Sequence, residues 1–201
     1  SDVYQRQKLM SNSDIGDAIE VLENSLSYNS ENSMIYMTLG KAYNENSDFG
    51  NAVDILEDLF DLDRNNFRVA MLISINSIEM DDFESAFDWA RKSMKISKNN
   101  AESLAHMGNL YYKAMQSCRG DAFSRSDKII ASLAYEYFVK AEQKGNSKYY
   151  KQKSWLEENE VLFAYADWFM TDKEVQATGK VSPVGRCYGW VSESLAKQSD
   201  W

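Results

Sequence analysis

The chain has few residues that interrupt helices and few that carry chemistry. Its 201 residues include one proline, nine glycines, two cysteines and one histidine. Proline or glycine inside a helix costs roughly 1 to 3 kcal/mol relative to alanine, so their scarcity permits long helices. No apolar run approaches the ~20 residues that span a bilayer, and no signal peptide is visible. With 44% hydrophobic residues, the chain can still form a packed core.

Basic residues are scarce in the first half of the chain. Residues 1–100 carry 18 acids and 9 bases, whereas residues 101–201 carry 13 of each, so the net charge of −9 lies in the first half. Nucleic-acid binding requires clustered Lys and Arg, and anionic membranes attract basic segments. We therefore expect no nucleic-acid partner, and the lack of a long apolar run predicts no direct membrane insertion.

Residues with catalytic or metal-ligand spacing are not visible in the sequence. His106 is the sole histidine, and no cluster of His, Cys and carboxylates with ligand spacing surrounds it. The sequence has no Gly-rich phosphate loop, no serine elbow and no CxxC pair. We therefore expect no cofactor, no metal and no enzymatic activity, and we interpret His106 as an ordinary groove or surface residue.

One short phrase recurs at a fixed interval. Residues 14–19, 48–53 and 82–87 read DIGDAI, DFGNAV and DFESAF. The shared alanines, Ala18, Ala52 and Ala86, are therefore separated by 34 residues. This is the period at which a helix–turn–helix unit stacks on copies of itself. The period predicts a helical solenoid, an architecture that offers a surface for binding.

The pattern is clearest in residues 33–66. One helix face carries a bulky residue, then Leu-Gly, then Tyr, and the next helix, which Asp48 can cap, carries Ala and Leu. These positions are Tyr36, Leu39, Gly40, Tyr43, Ala52 and Leu56. They resemble the tetratricopeptide repeat (TPR) family, although Arg64 and Lys98 replace the proline that usually ends the unit. The resemblance implies an all-α, right-handed superhelical solenoid of antiparallel helix pairs.

The repeats predict two regions, a solenoid over 1–145 and a C-terminal cap and tail over 146–201. The solenoid divides into a partial unit (1–32), two full units (33–66 and 67–100) and a longer fourth unit (101–145). The fourth unit has an insert near 115–129, which we interpret as an extension of the first helix plus a projecting loop. That insert is either a tolerated surface feature or a loop that contacts a partner or covers the groove.

The tail is aromatic and irregular. Residues 148–170 predict one or two helices that cap the final repeat. Partial alternation over 175–181 and a strand-like run over 187–191 predict a possible short β-hairpin. The combination of an insert-bearing late repeat with the ending from Gly189 to Ser194 is similar to some bacterial envelope-associated repeat proteins. We leave the compartment open and favour the bacterial envelope or periplasm over the cytoplasm.

In the TPR family the first helix of each unit lines a concave groove, so the resemblance implies a partner-binding surface here. Methionines would let such a groove adapt to an apolar helix or an extended peptide. The alternative is that these residues pack between helices or against the tail. Met37 stands where the family's carboxylate clamp needs Lys, so we do not expect that clamp. The implied groove residues are Met34, Met37, Lys41, Asn44, Arg68, Met71, Leu72, Ile75, His106, Asn109 and Tyr112.

The state of the two cysteines is open. Cys118 and Cys187 could pair if the tail folds back over the fourth unit, but we favour two unrelated thiols.

The preferred function is a protein–protein interaction scaffold that binds a peptide or partner protein through the groove. The alternative is a structural assembly subunit that self-associates through an open N-terminal edge. The residues proposed for that edge are Val3, Tyr4, Leu9 and Met10.

Overall fold

The computed structural model describes the backbone of residues 2–199 and the side chains of residues 14–199. Helices joined by short turns make up most of it, with one antiparallel two-stranded sheet near the end in which Val181 pairs with Leu195. The helices are α1 (Asp2–Tyr28), α2 (Ser33–Glu45), α3 (Phe49–Leu62), α4 (Phe67–Glu79), α5 (Phe83–Ser97), α6 (Ala101–Cys118), α7 (Arg125–Gln143), α8 (Tyr150–Glu158), α9 (Tyr165–Phe169) and α10 (Lys173–Thr178). The strands are β1 (Lys180–Val181) and β2 (Leu195–Ala196), and a 3₁₀ turn covers Arg186–Tyr188.

An Asn or Asp side chain caps the N-terminus of each repeat helix from α2 to α6. Each accepts a hydrogen bond from a backbone N–H of the first turn, which otherwise has no partner. These caps are Asn32 for α2, Asp48 for α3, Asn66 for α4, Asp82 for α5 and Asn100 for α6. The polar residues of the repeat therefore set the helix boundaries along the chain.

The first copy of the repeat phrase behaves differently from the other two. It lies inside α1, which runs through Asp14 without a break. Ala18 is exposed there, whereas Ala52 and Ala86 are fully buried. The later alanines are buried because each packs at the crossing of two paired helices.

Small residues let the paired helices approach closely. A Cβ atom at Gly40 would lie 2.8 Å from Cγ of Leu56 on α3, and one at Gly108 would lie 2.7 Å from the Phe138 ring on α7. These contacts join α2 to α3 and α6 to α7, as the repeat pattern requires. The chain is thus the predicted all-α solenoid of antiparallel helix pairs.

Most of the buried apolar residues in the described part of the chain belong to two clusters. The smaller one joins α3 and α4 through Leu56, Leu59, Val69 and Ile73. The larger one extends from α5 through α7 into the tail, so that repeat and tail share one core. Its fully buried members include Leu110, Tyr111, Met115, Ile130 and Leu156.

The insert of the fourth unit is mostly helical. α6 continues to Cys118, and α7 begins at Arg125 behind a capping box between Ser124 and Asp127. Only residues 119–124 lie between the two helices. The loop expected to project is therefore short, because most of the extra residues lengthen the helix pair.

The predicted hairpin is wrong in most of its positions. Residues 173–178 form α10, and the run that begins at Cys187 starts in a 3₁₀ turn. The side-chain amide of Gln176 donates to the carbonyl groups of Trp168, Phe169 and Thr171, which favours a compact turn over a strand. The second strand lies later, at Leu195–Ala196.

An aromatic anchor holds the tail against the repeats. The Trp190 ring stacks on Tyr111 at 5.9 Å and on Phe83 at 6.2 Å, and it contacts Phe87 at 5.3 Å. Polar contacts add to this anchor, because the Tyr188 hydroxyl donates to Asp127 and the Tyr137 hydroxyl donates to Glu193 at 2.9 Å. Residues 181–195 of the tail are therefore part of the packed structure.

Folding back of the tail also joins the two cysteines. Cys118 at the end of α6 and Cys187 in the tail form a disulfide, with their Cα atoms 6.0 Å apart. The interpretation of two unrelated thiols is therefore wrong. The sequence could not place the tail, because its position depends on contacts with helices far away in sequence, such as the Tyr188–Asp127 and Tyr137–Glu193 hydrogen bonds, 61 and 56 residues apart.

Removal of the disulfide should destabilise the fold. Cross-linking two residues separated by 69 positions reduces the entropy of the unfolded chain. For a loop of this length the contribution is about 4 kcal/mol. We expect the double variant Cys118→Ser, Cys187→Ser to lose about this free energy of unfolding in a urea titration. Reduced wild type is the matched control and should unfold at the same urea concentration as the variant. An unchanged midpoint in both samples would contradict the disulfide's stabilising role.

Candidate functional site

Polar side chains link α2, α4 and α6, the first helices of their units, which the TPR resemblance assigns to the inner face of the solenoid. Their partners lie about one repeat apart in sequence. The links are Asn44 Nδ2 to Asn76 Oδ1 at 2.7 Å, Arg68 to Glu102 at 3.4 Å, and Lys113 to Glu79 at 3.7 Å. Asn44 and Arg68, predicted as groove residues, therefore also hold the helices in register. The two ion pairs are exposed and contribute little to stability.

A cavity of 690 Å³ lies between α4, α6 and the connection that follows α7. We call it the inner cavity. The wall from α4 is apolar, whereas the opposite wall from the connection is polar and aromatic. Residues that line it include Met71 and Ile75 from α4, Ala105 and His106 from α6, and Lys148 and Tyr149 from the connection.

The wall beyond α7 was missed by sequence reasoning. Gly145, with a φ of +87°, ends α7 and turns the chain toward α6. Lys144 Nζ donates to the Asn99 carbonyl at 2.7 Å, which fixes this turn against the end of α5. Lys148 then lies over the Tyr149 ring at 5.2 Å. Gly145 was the available signal for a helix end, but the repeat pattern does not extend far enough to place these side chains.

His106 is buried rather than exposed. It is 2% accessible, and its Nε2 atom lies 2.7 Å from Ser74 Oγ. Ser74 is itself fully buried and donates to the Ala86 carbonyl at 2.6 Å. Because Ser74 is small, α6 approaches α4 and encloses the ring. The interpretation of His106 as an ordinary groove or surface residue is therefore wrong about exposure, although the residue does line the inner cavity.

Burial controls the charge of this histidine. Loss of water around the ring, with a smaller contribution from the Lys148 ammonium, lowers the pKa of His106 to about 4. Both effects disfavour the charged imidazolium. The ring is therefore neutral near pH 7.

The other predicted groove residues are distributed more widely. Met34 is 77% exposed on α2. Lys41, also exposed, lines a separate concavity between α1 and α2. Met37 and Leu72 pack against the smaller core, as the alternative interpretation expected.

Trp155 of α8 packs against Tyr112, another of the predicted groove residues. Tyr112 meets Trp155 edge-to-face at 5.8 Å, and burial raises its pKa. Asn109 is half-buried on the same helix. The structure thus brings together Met71, Ile75 and His106 but leaves Met34 and Lys41 apart from them. Binding at any of these residues stays a prediction.

Metal-ligand clusters and membrane-spanning helices are both absent from the described part of the chain. Within it, no group of three or more His, Cys, Asp or Glu residues is placed to hold a metal ion. Among its helices, none combines the length and the apolar character that crossing a membrane requires.

Comparison with solved structures shows the fold. The structure titled "MamA 41-end from Desulfovibrio magneticus RS-1" superposes with a TM-score of 0.57 at 13% identity, covering 79% of this chain and 84% of that one. A second, titled "Crystal structure of MamA", has a TM-score of 0.47 at 16% identity, with 77% and 95% covered. No family model matches the sequence, and a search of curated proteins finds no match. The fold is a TPR-like solenoid, and at this identity the likeness concerns the fold alone.

The buried His106 should make stability depend on pH. Its folded pKa of about 4 lies below the ordinary value of 6.5, so the unfolded chain binds a proton first as the pH falls. Wild type should lose about 3 kcal/mol of unfolding free energy from this residue between pH 7 and pH 4. His106→Gln, which retains a donor toward Ser74, should lack this loss. Urea titrations at both pH values measure it, and equal pH dependence in the two proteins would contradict the assignment.

Proposed function

We propose that this chain is a protein–protein interaction scaffold that binds a peptide or partner protein on the inner face of its solenoid. The inner cavity carries the proposal, because Met71 and Ile75 stay half-buried there beside the polar wall of Lys148. Its volume of 690 Å³ lies within the usual range for ligand pockets, about 300 to 1,000 Å³.

The side chains of the inner face suit binding to partners of varied shape. Met34 and Met71 have flexible, polarisable side chains that adjust to different apolar surfaces. Lys148 is an exposed cation that lines the same cavity as Met71, and Lys41 and Arg68 are further exposed cations on α2 and α4. Such a surface supports binding of a segment that is apolar in part and acidic in part. Nucleic acid is not part of the proposal, because the excess charge of the chain is negative.

The proposal includes no catalysis. Ser74 and His106 have the atoms of a nucleophile and base 2.7 Å apart, which is the spacing of a catalytic pair. However, Ser74 is fully buried and gives its proton to the Ala86 carbonyl. A substrate could not reach its oxygen without separation of α4 from α6. We therefore assign this pair to packing of the two helices.

The disulfide supports an oxidising compartment. Bonds such as Cys118–Cys187 form and persist in secreted and periplasmic proteins and are rare in the cytosol. This favours the bacterial envelope or periplasm over the cytoplasm as the place where the scaffold binds its partner.

A negative charge introduced on the inner face should weaken binding without unfolding the protein. We expect Met71→Glu to weaken a peptide selected on wild type from a phage-displayed random library by about tenfold or more, because a carboxylate must be desolvated in the cavity. Lys41→Glu should weaken a partner that extends along α2. Fluorescence anisotropy measures each affinity, and circular dichroism checks the fold.

Matched controls place the same changes elsewhere on the surface. Met170→Glu in the tail and Lys95→Glu on α5 change residues that are exposed outside the inner face. Their affinities should stay within about twofold of wild type. Unchanged binding in both Met71→Glu and Lys41→Glu would refute the inner face as the binding surface.

A second function, self-association through the N-terminal edge, is favoured by one observation. Val21 is 64% exposed and Tyr28 is 92% exposed on α1, and Ala18 next to them is also exposed. Together they form an apolar strip on the first described helix. The side chains of Val3, Tyr4, Leu9 and Met10, predicted for this edge, lie outside the described residues.

Light scattering over a range of concentrations tests this alternative. If the edge self-associates, the mass of wild type should rise with concentration, and Val21→Glu should return the protein to a monomer. Val184→Glu, which changes an exposed valine of the tail, is the matched control and should behave as wild type. A wild-type protein that stays monomeric at every concentration would exclude self-association.

A further inference from the structure

Equivalent positions on two successive repeat helices carry opposite charges. α3 and α5 are both antiparallel to α4 and begin 34 residues apart, so residues separated by 34 lie at the same height along them. The ninth and tenth residues of α3 are Glu57 and Asp58, which we call the acidic patch. The ninth and tenth residues of α5 are Arg91 and Lys92, which we call the basic patch. The repeat therefore keeps the position and inverts the charge.

Neither patch is neutralised within the described part of the chain. All four side chains are exposed, and none of them takes part in an ion pair among the described residues. The flanking sequence has the same signs, since residues 54–63 contain five acids and no base, and residues 91–98 contain four bases and no acid. Both patches are therefore available to charges on another surface.

An aromatic strip lies in the groove between the two patches. The groove has a volume of 390 Å³, and Glu57 and Lys92 are among the residues that line it. Phe60 and Trp89 line it too, and their half-buried rings meet edge-to-face at 5.0 Å. Tryptophan is enriched among the residues that contribute most to protein–protein binding. The surface thus has an aromatic centre with one charged patch on each side.

This surface is complementary to itself under a two-fold rotation. Half a turn around an axis over the groove and parallel to the helices brings α3 of one copy opposite α5 of the other. The rotation leaves the height along the helices unchanged, so the acidic patch of one copy faces the basic patch of the other. The reciprocal contact forms at the same time, as in any two-fold interface, and the two aromatic strips meet near the axis.

We propose that two copies of this chain associate face to face through α3 and α5, with the acidic patch of each copy on the basic patch of the other. A partner that carries charge of one sign would be repelled by one of the two patches, whereas a second copy complements both. The surface is separate from the inner face and from the N-terminal edge. The inference therefore goes beyond the proposed function.

Reversal of either patch tests the interface. Glu57→Lys with Asp58→Lys makes both patches basic, and Arg91→Glu with Lys92→Glu makes both patches acidic. We expect each double variant to raise the Kd of the wild-type dimer about tenfold or more, because like charges then face each other. Light scattering over a range of concentrations measures the Kd, and circular dichroism checks the fold.

A mixture of the two double variants separates the interface from the effect of total charge. Each exchange of an acid for Lys adds two charges and each exchange of a base for Glu removes two, so the net charge of −9 becomes −5 and −13. Total charge therefore opposes association of the two variants. Basic patches of one variant nevertheless face acidic patches of the other, and we expect a 1:1 heterodimer by native mass spectrometry. The quadruple variant, in which the patches are exchanged, should form a homodimer again.

A matched control changes the same total charge at other exposed positions. Glu158→Lys with Glu174→Lys should dimerise as wild type does. A wild-type protein that stays monomeric, a dimer that withstands both patch reversals, or a mixture that gives no heterodimer would overturn the inference.

The outcomes also distinguish this interface from the proposed functions. Val21→Glu changes the N-terminal edge and should leave the face-to-face dimer intact. A dimer that is lost in Val21→Glu but retained in both patch reversals would assign self-association to the edge and refute the face-to-face interface. Peptide affinity at the inner face is measured separately, so its absence would refute the scaffold function without affecting the dimer.

Discussion

The close crossing of paired helices is the constraint on which the rest of this structure depends. Ala52 and Ala86 have no accessible surface, and Gly40 and Gly108 leave no space for a Cβ atom without displacement of Leu56 or Phe138. Larger residues at these positions would separate the helices and change the angle between them. Because each helix pair packs on the next, a change in crossing angle would accumulate along the solenoid. The inner cavity lies between α4 and α6, whose positions follow from crossings of this kind.

The inner face combines two roles in the same side chains. Asn44 and Arg68 bond across neighbouring helices, and His106 bonds to Ser74, so polar residues that could contact a ligand also hold the helices in register. Trp190 and the tail cover a different surface, that of Phe83 and Phe87 on α5 and Tyr111 on α6. Open surface with mixed chemistry therefore remains on the inner side, near Met71 and Lys148.

Local signals explain why much of the fold was predictable from sequence. The spacing of the alanines predicted the helix pairs. Asp48 and Asp82 cap helices where the repeat phrase predicted that a helix begins. Tail positions were harder, because Trp190 is placed by rings on α5 and α6 and not by its neighbours in sequence. The strand-like run after Cys187 was misread for the same reason. Long-range packing prevails over local propensity there.

Only one wall of the inner cavity was predictable from the sequence. Met71, Ile75 and His106 occupy repeat positions that the family resemblance assigns to the groove, and all three line the cavity. Lys148 and Tyr149 follow the last repeat, where no period predicts an orientation. Burial of His106 depends on the size of Ser74, 32 residues earlier, a relation that spacing alone does not reveal.

The disulfide has a consequence for how this binding surface can change. Cys118 and Cys187 close a covalent ring, and that ring contains the wall of Lys148 and Tyr149 but not the wall of Met71 and Ile75. The first wall can therefore acquire substitutions while the bond keeps its ends in place, whereas the second is tied to the helix crossings. Lys148 is the exposed residue of the first wall, whereas Tyr149 packs against Phe138 at 5.7 Å and the α4 wall is constrained by the stacking of the helices. A new ligand preference could evolve within the ring without redesign of the solenoid.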